Sequence, residues 1–190
     1  DYTNSPNTFG STAGDKPLAI DWDGDGRQEL AIFRTAAPNQ GKWYIDTNHN
    51  GTFELGTDVL LGPFGTTSGD IPVAIDWDGD GRQELAIFRT LAPNQGKWYI
   101  DTNRNGTFEL GVDALLGPFG TTSGDIPVAI DWDGDGRQEL AIFRTLAPNQ
   151  GKWYIDTNRN GTFQLDVDAL LGPFGQTAGD IPVSIRWTDG

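Results

Sequence analysis

Apolar residues in this chain come in short runs broken by turn formers, and no window keeps a helical period over a useful length. The middle of the chain shows the pattern most clearly. Ile71 to Trp77 is apolar and β-branched and runs into an acidic stretch. Glu84 to Arg89 (Glu-Leu-Ala-Ile-Phe-Arg) leads out of it, and Lys97 to Asp101 (Lys-Trp-Tyr-Ile-Asp) follows the turn residues Pro93-Asn94-Gln95-Gly96. A short segment from Ala114 to Leu116 ends at Gly117-Pro118. Each segment predicts a strand, with the Gly, Pro, Asn and Asp clusters between them as turns. Val73 and Ile75 point one way and Ala74 the other, while Leu85 and Ile87 oppose Ala86 and Phe88. A sheet wet on one side would alternate more cleanly, so each small sheet is expected to be sandwiched between neighbours.

The pattern repeats every 55 residues, in register with Phe9-Gly10, Phe64-Gly65, Phe119-Gly120 and Phe174-Gly175. That period is too long for one coil of a β-helix and suits a four-stranded unit. The expected fold is all-β: tandem four-stranded antiparallel blade-like repeats, stacked as an open array or an incomplete propeller. The repeats run over residues 15–69, 70–124 and 125–179, flanked by atypical partial repeats at 1–14 and 180–190. Trp43, Trp98 and Trp153 are expected to fill the core between repeats, with stacking on sugar as the other reading.

Composition narrows the function. The 27 Asp and Glu against 13 Lys and Arg give a net charge of −14, which argues against a nucleic-acid partner. No apolar run is long enough to cross a bilayer, and no basic amphipathic helix suits a membrane surface. Cysteine is absent, so no disulfide or thiolate site is expected. The chain starts at Asp1 without an initiator Met or signal peptide, as a processed product or a segment would.

Much of the negative charge sits in one motif. Asp21-Trp22-Asp23-Gly24-Asp25-Gly26-Arg27-Gln28-Glu29 returns unchanged as Asp76 to Glu84 and as Asp131 to Glu139. Four carboxylates in nine residues repel one another unless a cation sits among them. Calcium takes six to eight hard oxygen ligands in flexible geometry, whereas magnesium keeps several waters and wants a strict octahedron. The expected Ca2+ ligands are Asp21, Asp23, Asp25, the Arg27 carbonyl and Glu29. Their copies are Asp76, Asp78, Asp80, Arg82 and Glu84, then Asp131, Asp133, Asp135, Arg137 and Glu139. An EF-hand closes with Glu at position twelve, between helices. Here the acid closes at position nine, between strands. A plain solvated acidic turn is the bland alternative.

A second loop shares this grammar with fewer charges. Asp46, Asn48, Asn50, Thr52 and Glu54 recur as Asp101, Asn103, Asn105, Thr107 and Glu109. The third copy has Asp156, Asn158, Asn160 and Thr162, then Gln164 in place of Glu. As calcium sites these should be weaker, and the third weakest. An ordinary Asn-Gly hairpin turn is a second reading. An N-glycosylation sequon at Asn50-Gly51-Thr52 and its copies is a third.

The Phe-Gly pair, then Gly69-Asp70-Ile71-Pro72-Val73, then Asp76-Trp77-Asp78-Gly79-Asp80-Gly81, then Leu85-Ala86-Ile87-Phe88-Arg89 resembles the FG-GAP or VCBS-type repeat. Repeats of this type form the blades of integrin α-subunit propellers and occur in many secreted bacterial proteins. The resemblance covers nearly the whole chain. It implies four-stranded blades with calcium in the loop between adjacent strands, and ligand roles for the first-loop residues. Glu stands at position nine where the family often has Asp, and the second loop lies outside the resemblance.

Propellers use four to eight blades, so three units should not close into a ring. The ends also differ from the interior. Asn4-Ser5-Pro6 stands where an inner repeat has Val59-Leu60-Leu61, and Arg186-Trp187-Thr188-Asp189-Gly190 stands in place of an acidic loop. Altered ends suit caps or docking surfaces. The expectation is head-to-tail self-association into a filament or extended array, with a multi-chain ring and a window on a longer array as alternatives. An enzyme is not expected: the sole histidine, His49, is replaced by Arg104 and Arg159 in its copies, and no cofactor fingerprint appears. The function expected is that of a non-enzymatic, calcium-binding structural protein. Abundant extracellular calcium points to an extracellular or cell-surface setting. The rival is a calcium-dependent carbohydrate-binding module, with Lys42, Trp43 and Tyr44 or Trp22 lining a glycan site.

Overall fold

The computed structural model describes residues 9–177 and 179–184. Among the described residues there are twelve strands and no helix. The first sheet holds β1 (Asp15–Ile20), β2 (Glu29–Arg34), β3 (Trp43–Ile45) and β4 (Val59–Leu61). The second holds β5 (Ile71–Ile75), β6 (Glu84–Phe88), β7 (Trp98–Asp101) and β8 (Ala114–Leu116). The third holds β9 (Asp125–Ile130), β10 (Glu139–Arg144), β11 (Trp153–Ile155) and β12 (Ala169–Leu171). Each sheet is an antiparallel meander in sequence order, and none closes into a barrel. The four strands expected in each repeat therefore form, close to the expected bounds.

Pro17, Pro72 and Pro127 fall in the first strand of their sheets. That strand is an edge, where a missing N–H costs no ladder bond. At its start Arg34 grips Asp15 through Nε and Nη2, at 2.9 and 3.0 Å, and lies over the Tyr44 ring. Arg89 with Asp70 and Arg144 with Asp125 repeat the clamp. Each clamp is a two-point, charge-assisted contact between guanidinium and carboxylate.

Both faces of the middle sheet are covered. Ala31, Phe33, Trp43 and Ile45 of the first sheet pack on Leu85, Ile87, Ala74 and Tyr99 of the second. The opposite face, with Val73, Ile75, Ala86, Phe88, Trp98 and Ile100, packs on Ala129, Leu140 and Ile142 of the third. Every residue of β6 is accordingly buried. No core cluster joins the first sheet to the third among the described residues. The array is open, and its ends are visible. Leu30 is 54% exposed where Leu85 and Leu140 are sealed, and Phe174 is 78% exposed where Phe64 and Phe119 are buried. Trp43 and Trp98 do fill the core between repeats, each donating its indole N–H to the carbonyl of Phe64 or Phe119. Trp153, on the outer face of the last sheet, is half-buried. The divergent stretches Asn4-Ser5-Pro6 and Arg186 to Gly190 lie outside the described residues.

Candidate metal centres in the strand-connecting loops

Strand register fixes the ends of the acidic loop. Ile20 pairs with Glu29, Ile75 with Glu84 and Ile130 with Glu139, so position nine stands at the mouth of each β-hairpin. The loop then folds on its own carboxylates. Asp21 accepts the amide hydrogens of Gly24 and Gly26 at 2.8 and 3.0 Å, and Asp23 accepts that of Asp25 at 3.0 Å. Asp25 turns instead to the Arg27 amide at 2.7 Å. Glu29 reaches back to the Trp22 amide at 2.7 Å. The second and third copies keep this scheme.

The result is a convergence of three carboxylates per loop. Asp21, Asp23 and Glu29 each bring an oxygen within 4.8 Å of the others, as do Asp76, Asp78 and Glu84, and Asp131, Asp133 and Glu139. The position-five acids Asp25, Asp80 and Asp135 are not in these groups. Arg27 is exposed, with its amide engaged by Asp25.

The closing acid carries the strongest physical signal. Glu29, Glu84 and Glu139 are each 1% exposed. Burial, followed by the nearby Asp78 and Asp76 charges, pushes Glu84 up to about 8, against the pull of the Trp77 amide. Burial likewise raises Glu139 to about 7 and raises Glu29. One oxygen of Glu29 is buried and accepts no hydrogen bond, with His49 Nε2 3.5 Å away. A buried acceptor without a hydrogen bond is costly, and so is a carboxylate crowded by like charges. A divalent cation bound among these hard oxygens would satisfy both, so the residues fit the ion that their spacing suggests.

The second loop, between β3 and β4, has the same turns and a different balance. Asp46 is fully buried and accepts from the Asn50 and Gly51 amides at 3.2 and 2.7 Å. Asn50 takes both the amide and the hydroxyl hydrogen of Thr52. Asn48 and Asn50 each turn an amide NH2 toward Glu54, at 2.8 and 3.0 Å. Asp101, Asn103, Asn105, Thr107 and Glu109 repeat this. In the third copy Asp156 holds the Gly161 amide, Thr162 bonds Asn160, and Asn158 donates to Gln164. Much of the negative charge is thus met by N–H groups, and the three-carboxylate groups among the described residues are confined to the first loops. Asp58, which spacing alone did not single out, closes this hairpin by accepting the Thr47 and Glu54 amides. Its recurrence as Asp113 and Asp168 was the available signal.

The first two of these loops are also gripped by the repeat that follows. Gln83 donates its amide to the Asp21 carbonyl at 2.8 Å, and its side-chain oxygen accepts the Asp21 amide at 2.9 Å. Gln138 does the same for Asp76, at 2.8 and 2.7 Å. Arg82 donates to the Asp23 carbonyl at 3.1 Å. From the second loops, Arg104 and Arg159 stack on Trp22 and Trp77 and donate to their carbonyls.

The model of the FG-GAP-like repeat matches residues 21–87 and again 76–142. Each match opens on the first Asp of one acidic loop and ends beyond the next. No curated protein and no solved structure matches the chain.

Proposed function

The chain belongs to the FG-GAP-like repeat family, and from that membership and the loop geometry we propose that it is a non-enzymatic calcium-binding repeat protein with a structural role. The observation that carries the reading is the convergence of Asp21, Asp23 and Glu29, with one buried oxygen of Glu29 accepting no hydrogen bond. Asp76, Asp78 and Glu84, and Asp131, Asp133 and Glu139, would hold the ion in the other two repeats, with the position-five acids and position-seven carbonyls as further ligands. The second loops, with fewer carboxylates, would take calcium more weakly. The setting proposed is extracellular or at the cell surface, where calcium is plentiful.

The assembly proposed is head-to-tail, into a filament or an extended array. In support, the two outer faces of the array carry the same residue types that mate inside it. Exposed Leu30 corresponds to Leu85 and half-buried Trp153 to Trp98, while Ile32 and Phe143, the counterparts of Ile87 and Phe88, are already buried. A heterologous contact of this kind does not close on itself. The second reading, calcium-dependent glycan binding, draws on Trp132, which is 43% exposed beside its acidic loop.

Electron microscopy of the purified protein with calcium and with chelator tests the assembly, and calorimetric titration tests the ion. Calcium-dependent fibres support the filament. Uniform single particles in both conditions rule it out, and the absence of binding heat rules out the calcium reading. Glycan-array binding that disappears in Trp132→Ala would move the assignment to the second reading.

A further inference from the structure

Three loops of identical sequence do not have identical surroundings. Around the first, Gln83 engages both backbone polar atoms of Asp21, Arg82 bonds the Asp23 carbonyl, and Arg104 stacks 4.0 Å above the Trp22 ring. Around the second, Gln138 engages both backbone atoms of Asp76, and Arg159 stacks 4.0 Å above Trp77. The arginine at position seven of the following loop lies on the glycine at position four. A Cβ added at Gly24 would meet Arg82 Cγ at 2.7 Å, and one at Gly79 would meet Arg137 Cγ at 2.7 Å. At Gly134, the third equivalent, it would meet nothing within 4 Å. Asp131 and Trp132 are exposed, whereas Asp21, Trp22 and Trp77 are half-buried and Asp76 is buried. Among the described residues, nothing grips the third loop as the first two are gripped.

We propose that Gln83 and Arg104 are positioning residues for the cation of the loop in the preceding repeat, Asp21–Glu29, and that Gln138 and Arg159 act likewise for Asp76–Glu84. This rests on the calcium reading of the first loops. The effect is entropic and electrostatic. A flexible acidic loop must be ordered against its own repulsion before an ion can be held, and that ordering lowers the net affinity. Gln83 fixes the backbone at the first ligand, and Arg104 fixes the residue between the first and second. Neither contributes an oxygen to the carboxylate group. Partners that orient ligands in this way typically govern about 10–100-fold in metal affinity.

The sequence supplies its own control. Gln28 occupies in the first loop the position that Gln83 and Gln138 occupy in theirs, yet it is exposed and has no preceding loop to grip among the described residues. If this glutamine acted on its own loop, Gln28→Ala would weaken the first site. If it acts on the preceding loop, Gln83→Ala weakens the first site and Gln28→Ala leaves it alone.

The test is calcium calorimetry on the 190-residue chain together with terbium luminescence sensitised by the loop tryptophans. Substituting two of Trp22, Trp77 and Trp132 by Phe leaves one first-loop tryptophan per protein, above a constant background from Trp43, Trp98, Trp153 and Trp187. Gln83→Ala should lower affinity most at the Trp22 reporter and less at the Trp77 reporter, which Gln83 touches only through its Nε2–H bond to Gln138 Oε1. Arg104→Ala should repeat the loss at the Trp22 reporter, with Arg104→Lys restoring only part of it, because an ammonium lacks the planar face that stacks on indole. Should Gln83→Ala not fold, Gln138→Ala read at the Trp77 reporter decides the question. No loss at the Trp22 reporter in Gln83→Ala, or a loss larger at the Trp77 reporter, would overturn the positioning role while leaving calcium binding intact. No calcium or terbium binding at any first loop would overturn the calcium reading itself.

Discussion

The guanidinium of Arg104 lies 4.0 Å above the indole ring of Trp22, 82 residues earlier in the chain. It belongs to the second loop of one repeat and covers the first loop of the repeat before. Arg159 and Trp77 reproduce the contact one repeat later. Stacking of a partly desolvated guanidinium on Trp contributes about 1–2 kcal/mol. Arg104→Ala should therefore lower the unfolding free energy by that amount in urea titration with calcium absent. An unchanged midpoint would mean that the stacking stabilises nothing.

A buried carboxyl whose folded pKa is raised makes the metal-free protein less stable as pH rises. Glu84 at about 8 and Glu139 at about 7, against an ordinary value of 4.5, keep protons in the folded chain that the unfolded chain has released. Their contribution favours folding below about pH 4.5 and is lost as pH climbs to about 8. In chelator, the thermal midpoint should fall between pH 5 and pH 8.5. Calcium displaces the same protons, so its binding should tighten over this range and release protons into the buffer at pH 7. A midpoint that rises with pH in chelator would contradict both statements.

Glu84→Gln separates a ligand from a structural acid. The amide keeps the shape and removes the charge. In chelator at pH 8.5 the variant should melt higher than the parent, because no charge is buried. In millimolar calcium it should melt lower, because the ion loses a ligand. Each difference should be a few degrees, since about 1 kcal/mol moves a domain of this size by about 2–4 °C. A shift of the same sign in both conditions would exclude Glu84 as a ligand.

Removal of calcium should lower the melting temperature of the unmodified protein, through carboxylate repulsion and the loss of binding free energy linked to folding. Differential scanning calorimetry with and without chelator measures this directly. Coincident melts would exclude a structural ion.

Position within the array should set the cost of losing a core tryptophan. Trp98 is sealed between the second and third sheets, and Trp98→Ala should cost about 3–5 kcal/mol. Trp153 lies on the outer face of the last sheet, half-buried, and Trp153→Ala should cost less than half as much. Equal losses would indicate that the outer face is covered in solution, as head-to-tail assembly requires.

The strands, their order and the acidic loops were legible because each is a local pattern repeated at a fixed period. Ile71 to Ile75, Glu84 to Phe88 and the segment around Trp98 could be read from alternation and turn residues alone. The partners of those patterns were not legible. Gln83 reads as the eighth residue of its own loop, and nothing in its spacing reveals that it grips Asp21, 62 residues back. Arg104 stands where the first repeat has His49, a change that marks the position without revealing what it covers. Asp25 differs from Asp21 and Asp23 in a way its place in the motif did not show: its carboxylate bonds the Arg27 amide and lies outside the three-carboxylate group. Periodicity identifies the unit, and packing decides which side of a joint each residue serves.

Phe33 and Trp43 meet Leu85 and Ile87 at one joint, and Phe88 and Trp98 meet Leu140 and Ile142 at the next. Front and back of every module are therefore interchangeable plugs and sockets. Copying one 55-residue stretch within the gene would lengthen the protein without a new fitting having to evolve, so its span can follow the number of copies.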